Sequence, residues 1–221
     1  MILILLFCMQ SCRTDIDSFY ETEVLNEVFD DLIKEMGALS VFEIPPPPMS
    51  FLNNSESMGY DTCKYNREMV EIEKWNKKMS DSTLVIAVFD TLFACYNLNL
   101  NIEYIRSQLA ERDYIEALNS MTDTSMVSYP LNLSRIESGQ RIKLRYSSEF
   151  PKGRDIWGKD HDFPFSGVLR VSRIYFDKEK QVGIFYSSYA CGRLCGEEAI
   201  ICICRIGNKW RIEKEISLGV Y

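Results

Sequence analysis

The chain has a single histidine, His161, among its 221 residues. One imidazole excludes any multi-histidine metal centre. There is no Gly-x-Ser-x-Gly elbow to mount a nucleophile, no glycine-rich phosphate loop and no EF-hand spacing. Positive charge is also in deficit. Twenty-five Lys and Arg against 32 Asp and Glu leave a net charge of −7, which argues against a nucleic-acid partner. The apolar run Ile2–Met9 is far shorter than the roughly 20 residues a helix needs to cross a bilayer, so no permanent transmembrane anchor is expected.

What is present is globular: 46% hydrophobic and 26% charged residues, enough for one domain with a real core. The most informative segment is the start. The run Ile2–Met9 is followed by Ser11 and Cys12, a small residue before a cysteine, and then by a polar, acidic stretch. That is the form of a lipoprotein export signal, in which the Cys12 thiol takes a diacylglycerol and residues 1–11 are removed. It departs from the usual pattern in having no Lys or Arg before Arg13. The competing reading is a buried N-terminal helix or strand, with Cys8 and Cys12 as small hydrophobes. The expected organisation is a signal peptide at 1–11 and a single domain at 12–221, with a proline-rich loop at 45–60 around Pro45–Pro48. The expected partner is a membrane, through the lipid, together with a protein partner whose nature the sequence does not specify. No cofactor is expected.

Thr14–Met36 has apolar residues at spacings of three and four (Val24, Val28, Leu32, Met36), which predicts a helix capped by Asp15 or Asp17 and stopped by Gly37. Helical spacing recurs over Lys64–Met79 and Asn101–Met121, with Asp113 as a cap inside the latter. Thr83–Phe89 reads as a strand buried on both faces. From Ile142 onward the texture becomes strands, ending in a hairpin signal at Gly207-Asn208. Helices first and strands after predict an α+β fold, with the N-terminal helices on one face of a C-terminal antiparallel meander. Pairing Ile206 with Lys209 puts Ile203 opposite Ile212. It gathers Ile201, Ile203, Trp210, Ile212 and Ile216 on one face, and Cys202 and Cys204 on the other. Bringing Val182, Ile184 and Tyr186 to the first face requires Tyr186 opposite Ile201.

The candidate chemistry is sparse. Cys191 and Cys195, each followed by glycine, lie between two predicted strands and read as a structural disulfide, worth about 2 kcal/mol. Free thiols and a redox pair are the rivals, although the spacing is not that of a CxxC motif. A zinc site from Cys191, Cys195, Cys202 and Cys204 would pair them with a CxC whose side chains stand ~7 Å apart on a strand. His161, flanked by Asp160 and Asp162, reads as an exposed, solvated side chain; its catalytic alternative is a hydrolase using it or the loop carboxylates Asp90, Asp123, Glu149, Asp155, Asp177, Glu197 and Glu198. Trp157, Phe163 and Phe165 form either an aromatic contact platform or a loop folded onto its own core.

The segment from about Gly167 to Ser217 contains the Cys-Gly-x-x-Cys-Gly-type loop at Cys191–Gly196 and the turn plus Lys-Trp strand at Gly207–Ile212. With the proline run and the strand Leu84–Asp90, it resembles uncharacterised envelope lipoproteins of Bacteroidetes-type bacteria. The resemblance implies an envelope lipoprotein and supplies no catalytic residue; the chain differs from that group in carrying Cys202 and Cys204. Function is therefore expected to be non-enzymatic binding or assembly, with an envelope hydrolase as the alternative. Non-reducing peptide mapping should recover Cys191 crosslinked to Cys195; a crosslink from Cys191 to Cys202 or Cys204 would contradict the assignment.

Overall fold

The computed structural model describes residues 2–38, 81–109, 114–139, 141–158 and 161–220, together with positions 70, 73, 74 and 77. The proline-rich loop at 45–60, Cys63, Asp113 and most of the helix expected over Lys64–Met79 lie outside the described residues. Three helices are described: α1 (Ile2–Glu35), α2 (Ile102–Gln108) and α3 (Ile115–Met121). Helix α1 begins well before Thr14 because nothing in the apolar segment breaks a helix. Asp15 and Asp17 are therefore interior to α1 and do not cap its start. The backbone runs helical through Cys12, whose side chain is outside the described residues. Gly37 stops the helix at φ 64°, as its sequence position requires. Asn101 caps α2 by accepting from the Tyr104 amide at 3.0 Å.

The strands are β1 (Leu84–Val88), β2 (Thr91–Leu92), β3 (Tyr129–Pro130), β4 (Ile142–Tyr146), β5 (Phe165–Val171), β6 (Tyr175–Phe176), β7 (Val182–Gly192), β8 (Cys195–Ile206) and β9 (Lys209–Val220). The main sheet runs β4-β1-β5-β7-β8-β9, with β6 on β7; β2 and β3 form a separate pair. From β5 to β9 the pairing is antiparallel, as expected. The meander is not the whole sheet, however. β1 inserts between β4 and β5 and runs parallel to both. All five residues of β1 are buried, which is what a β-branched run covered on both faces produces.

Helices cover both faces of the sheet, not one. Val24, Leu25, Val28, Phe29, Leu32 and Ile33 of α1 pack with Phe185, Ile201, Ile203 and Trp210. Ile105 of α2 and Ala117, Leu118 and Met121 of α3 pack with Ile184, Tyr186, Ile200, Cys202 and Cys204. Successive strand residues point to opposite faces, so these two clusters lie on opposite sides of the sheet. The cause is register. Tyr186 pairs with Ile200 and Phe185 with Ile201, one residue away from the alignment that would put all the apolar residues on one face. That slip sends Val182, Ile184 and Tyr186 to the α2–α3 side.

The β8–β9 hairpin forms as read: Ile206 pairs with Lys209 and Ile203 with Ile212, around Gly207 at φ 62°. Trp210 and Ile212 face α1, and the Trp210 amide donates to Glu27 at 2.6 Å. Ile216 does not share their face. A register shift at Glu213 between the Cys202 and Ile203 pairs turns it to the α2–α3 side.

One buried ion pair joins α1 to the sheet. Glu21 and Arg173 have side chains only 4% and 7% exposed, and the guanidinium Nη2 donates to the carboxylate at 2.7 Å. Glu21 also accepts from the Ile174 amide at 2.9 Å, and Arg173 donates to the Val127 carbonyl at 2.7 Å. Removing one partner strands a buried charge. R173M should lower unfolding free energy by roughly 3–5 kcal/mol in a urea titration, and E21L placed in the same chain should restore part of that loss.

Candidate functional site

The second face of the sheet is covered in two patches. Helices α2 and α3 cover one. The other is the segment after β4: Phe150 and Ile156 pack on Val85 and Ala87 of β1, with Trp157, Phe163, Phe165 and Val168 against them. The aromatic residues of this loop thus fold back onto their own core and form no free platform.

His161 belongs to the same cluster. Its ring lies 4.8 Å from that of Phe165 and stacks at 5.2 Å on Phe163, while Nε2 is 3.0 Å from the Ile156 carbonyl oxygen. It is half-buried rather than solvated, because three phenylalanines offer its ring more than water does. Arg145 caps the cluster 5.0 Å from the Phe150 centroid and pairs with Glu149 at 2.8 Å.

Asp90, at the end of β1, accepts from Ser148 Oγ at 2.5 Å, from the Ser148 amide at 3.0 Å and from Ser147 Oγ at 3.0 Å. Partial burial pushes its pKa up, but these hydrogen bonds outweigh it and hold the carboxyl below its ordinary range. The group fixes the turn after β4 and leaves both serines as donors to a carboxylate, the reverse of an activated nucleophile.

Cys191 and Cys195 form a disulfide, with Cα atoms 5.2 Å apart, at the tip of the β7–β8 hairpin. Next to it Leu194 is 91% exposed. Cys202 and Cys204 lie seven and nine residues further along β8, so the first of them is about 23 Å from Cys195. The four cysteines are therefore not brought together. Burial pushes the Cys202 thiol up to about 12 and raises that of Cys95 as well, which leaves both as unreactive packing groups. Among the described residues, no group of three His, Cys, Asp or Glu side chains could hold a metal.

Between the two covering patches a furrow remains, and its residues escaped the sequence reading. Arg170 on β5 lies directly across from Ser188 on β7, and Ser188 directly across from Glu198 on β8. All three are half-buried, whereas Ile200, Cys202 and Ile184 of the same face are fully enclosed. The Arg170 guanidinium carbon sits 3.9 Å from the Phe93 ring centroid and 5.5 Å from that of Phe89. The Tyr186 ring meets Phe93 edge-on at 5.8 Å. Burial raises the Tyr186 phenol to about 12; a hydrogen bond with Ser188 opposes the rise and nearby Glu198 adds to it. Its hydroxyl therefore stays neutral and lies between the two charged ends of the row. The available signal was an arginine between two core residues, Leu169 and Val171, in an alternating strand. Which residues it would meet depended on pairing.

Glu197 faces the other way, toward α1, alongside Tyr189. The neighbouring strand carries Glu215 on that same side, across from Ile201. Burial raises both carboxyl pKa values, and the charge of Glu215 adds to the effect at Glu197. The chain matches no protein-family model, and comparison with curated proteins and with solved structures found no match.

A carboxyl whose folded pKa lies above its unfolded value binds a proton more readily when folded, so its contribution is complete below the unfolded pKa and is lost as pH rises through the folded one. Urea midpoints should therefore fall as pH rises from the ordinary glutamate value of 4.5 toward neutrality. E197Q should flatten this dependence and stabilise the neutral-pH protein by less than about 1 kcal/mol, a small effect because both groups are partly solvated.

Proposed function

We propose that the chain is an envelope lipoprotein, anchored through Cys12, that binds or assembles with a partner and catalyses no reaction. The observation that carries this reading over an envelope hydrolase is the position of His161. Its ring is packed among Phe150, Phe163 and Phe165 with Nε2 at a backbone carbonyl, an arrangement that serves packing rather than proton transfer. The carboxylates offered for catalysis separate: Asp90 is engaged by Ser147 and Ser148, while Glu197 and Glu198 point to opposite faces of β8. Arg170, Ser188, Tyr186 and Glu198 offer recognition groups without a nucleophile held by a base.

The anchor rests on the apolar run ending at Ser11-Cys12 and on the resemblance to Bacteroidetes-type envelope lipoproteins. The Cys191–Cys195 disulfide suits an oxidising compartment. No described helix is long and apolar enough to cross a membrane. Membrane attachment would then depend on acylation. C12S should move the protein from the membrane fraction to the soluble one and remove the diacylglyceryl increment from its intact mass; unchanged membrane retention would refute the anchor.

A further inference from the structure

Arg170 combines a charge with a missing partner. It takes part in no hydrogen bond or ion pair with any described residue, and its Nε is buried without an acceptor. A buried guanidinium donor without an acceptor is costly. The nearest features are the rings of Phe93 and Phe89, which attract the cation but accept no conventional hydrogen bond from its edge. A guanidinium stacked in this way keeps its in-plane N–H fork available, and that fork matches a carboxylate bidentately.

The rest of the row narrows the ligand. Glu198 lies two strands away on the same face, about 10 Å between Cα atoms by strand spacing. Its charge repels a dianion such as phosphate and attracts an ammonium. Ser188 and the neutral Tyr186 hydroxyl lie between the two ends and can donate or accept. We propose that this furrow binds a small amino-carboxylate, its carboxylate on Arg170 and its ammonium directed toward Glu198. The proposal deepens the binding role given above and does not depend on the Cys12 anchor, so either can fail alone.

Titration calorimetry and thermal shift on the full-length protein in detergent provide the test. The probes are a panel of common α-amino acids, with acetate, methylammonium and inorganic phosphate as single-charge and dianion controls. At least one amino acid should bind and raise Tm, acetate should bind more weakly, and methylammonium and phosphate should have no effect. R170M should weaken amino-acid binding at least about tenfold, and R170K should also weaken it, because a lysine keeps the charge but loses the fork. E198Q should reduce the amino acid to the affinity of acetate. Without ligand, R170M should keep its Tm, since no ion pair is removed. The proposal is overturned if no amino acid binds, if phosphate binds better, if R170M and R170K leave affinity unchanged, or if R170M unfolds the unliganded protein and so assigns Arg170 to packing.

Discussion

Phe185 lies opposite Ile201 and Tyr186 opposite Ile200, and the rest of the molecule follows from that pairing. Strands β7 and β8 run side by side through the centre of the sheet, and both faces of their middle sections are apolar. Odd-numbered residues supply the surface that α1 covers; even-numbered ones supply the surface that α2 and α3 cover. A slip of one residue on either strand would exchange these surfaces and place Ser188 and Glu198 on opposite sides. Long, two-sided burial makes such a slip expensive, because every apolar contact would change at once.

Covering the sheet on both sides creates the furrow. Two short helices and an aromatic loop reach the second face from different crossover connections, one between β1 and β4 and the other between β4 and β5. Neither reaches the Arg170–Ser188–Glu198 row. The core under α1 is closed by a different device, the Glu21–Arg173 pair, which also brings the Ile174 amide and the Val127 carbonyl into one satisfied network. Arg173 and Arg170 are three residues apart yet opposite in condition. One has its carboxylate and lies fully inside; the other has only aromatic faces for company.

Much of the element order was legible. Helical spacing from Val24 to Met36, the buried run Leu84–Val88, the alternating strands after Ile142 and the Gly207-Asn208 turn are local patterns, and each formed where the pattern placed it. The close pairing of Cys191 with Cys195 was legible for the same reason, since five residues with two glycines fold back on themselves. The candidate site was not legible. Glu198 stood among many carboxylates, and Arg170 and Ser188 attracted no notice, because none of the three has a sequence neighbour that makes it chemically distinctive.

Local chemistry, then, settled which segments are helix and which are strand, and it put the cysteine loop at a hairpin tip. It did not settle where β1 would go: an all-apolar strand satisfies its backbone equally well beside several neighbours, and only the sheet as a whole placed it between β4 and β5. Nor did it settle the faces, since Val182, Ile184 and Tyr186 are apolar toward either side, and a single bulge at Glu213 redirected Ile216. The furrow belongs to this second kind of fact. Arg170, Ser188 and Glu198 are separated by 18 and 10 residues along the chain, and they form a row only because three strands pair in one register.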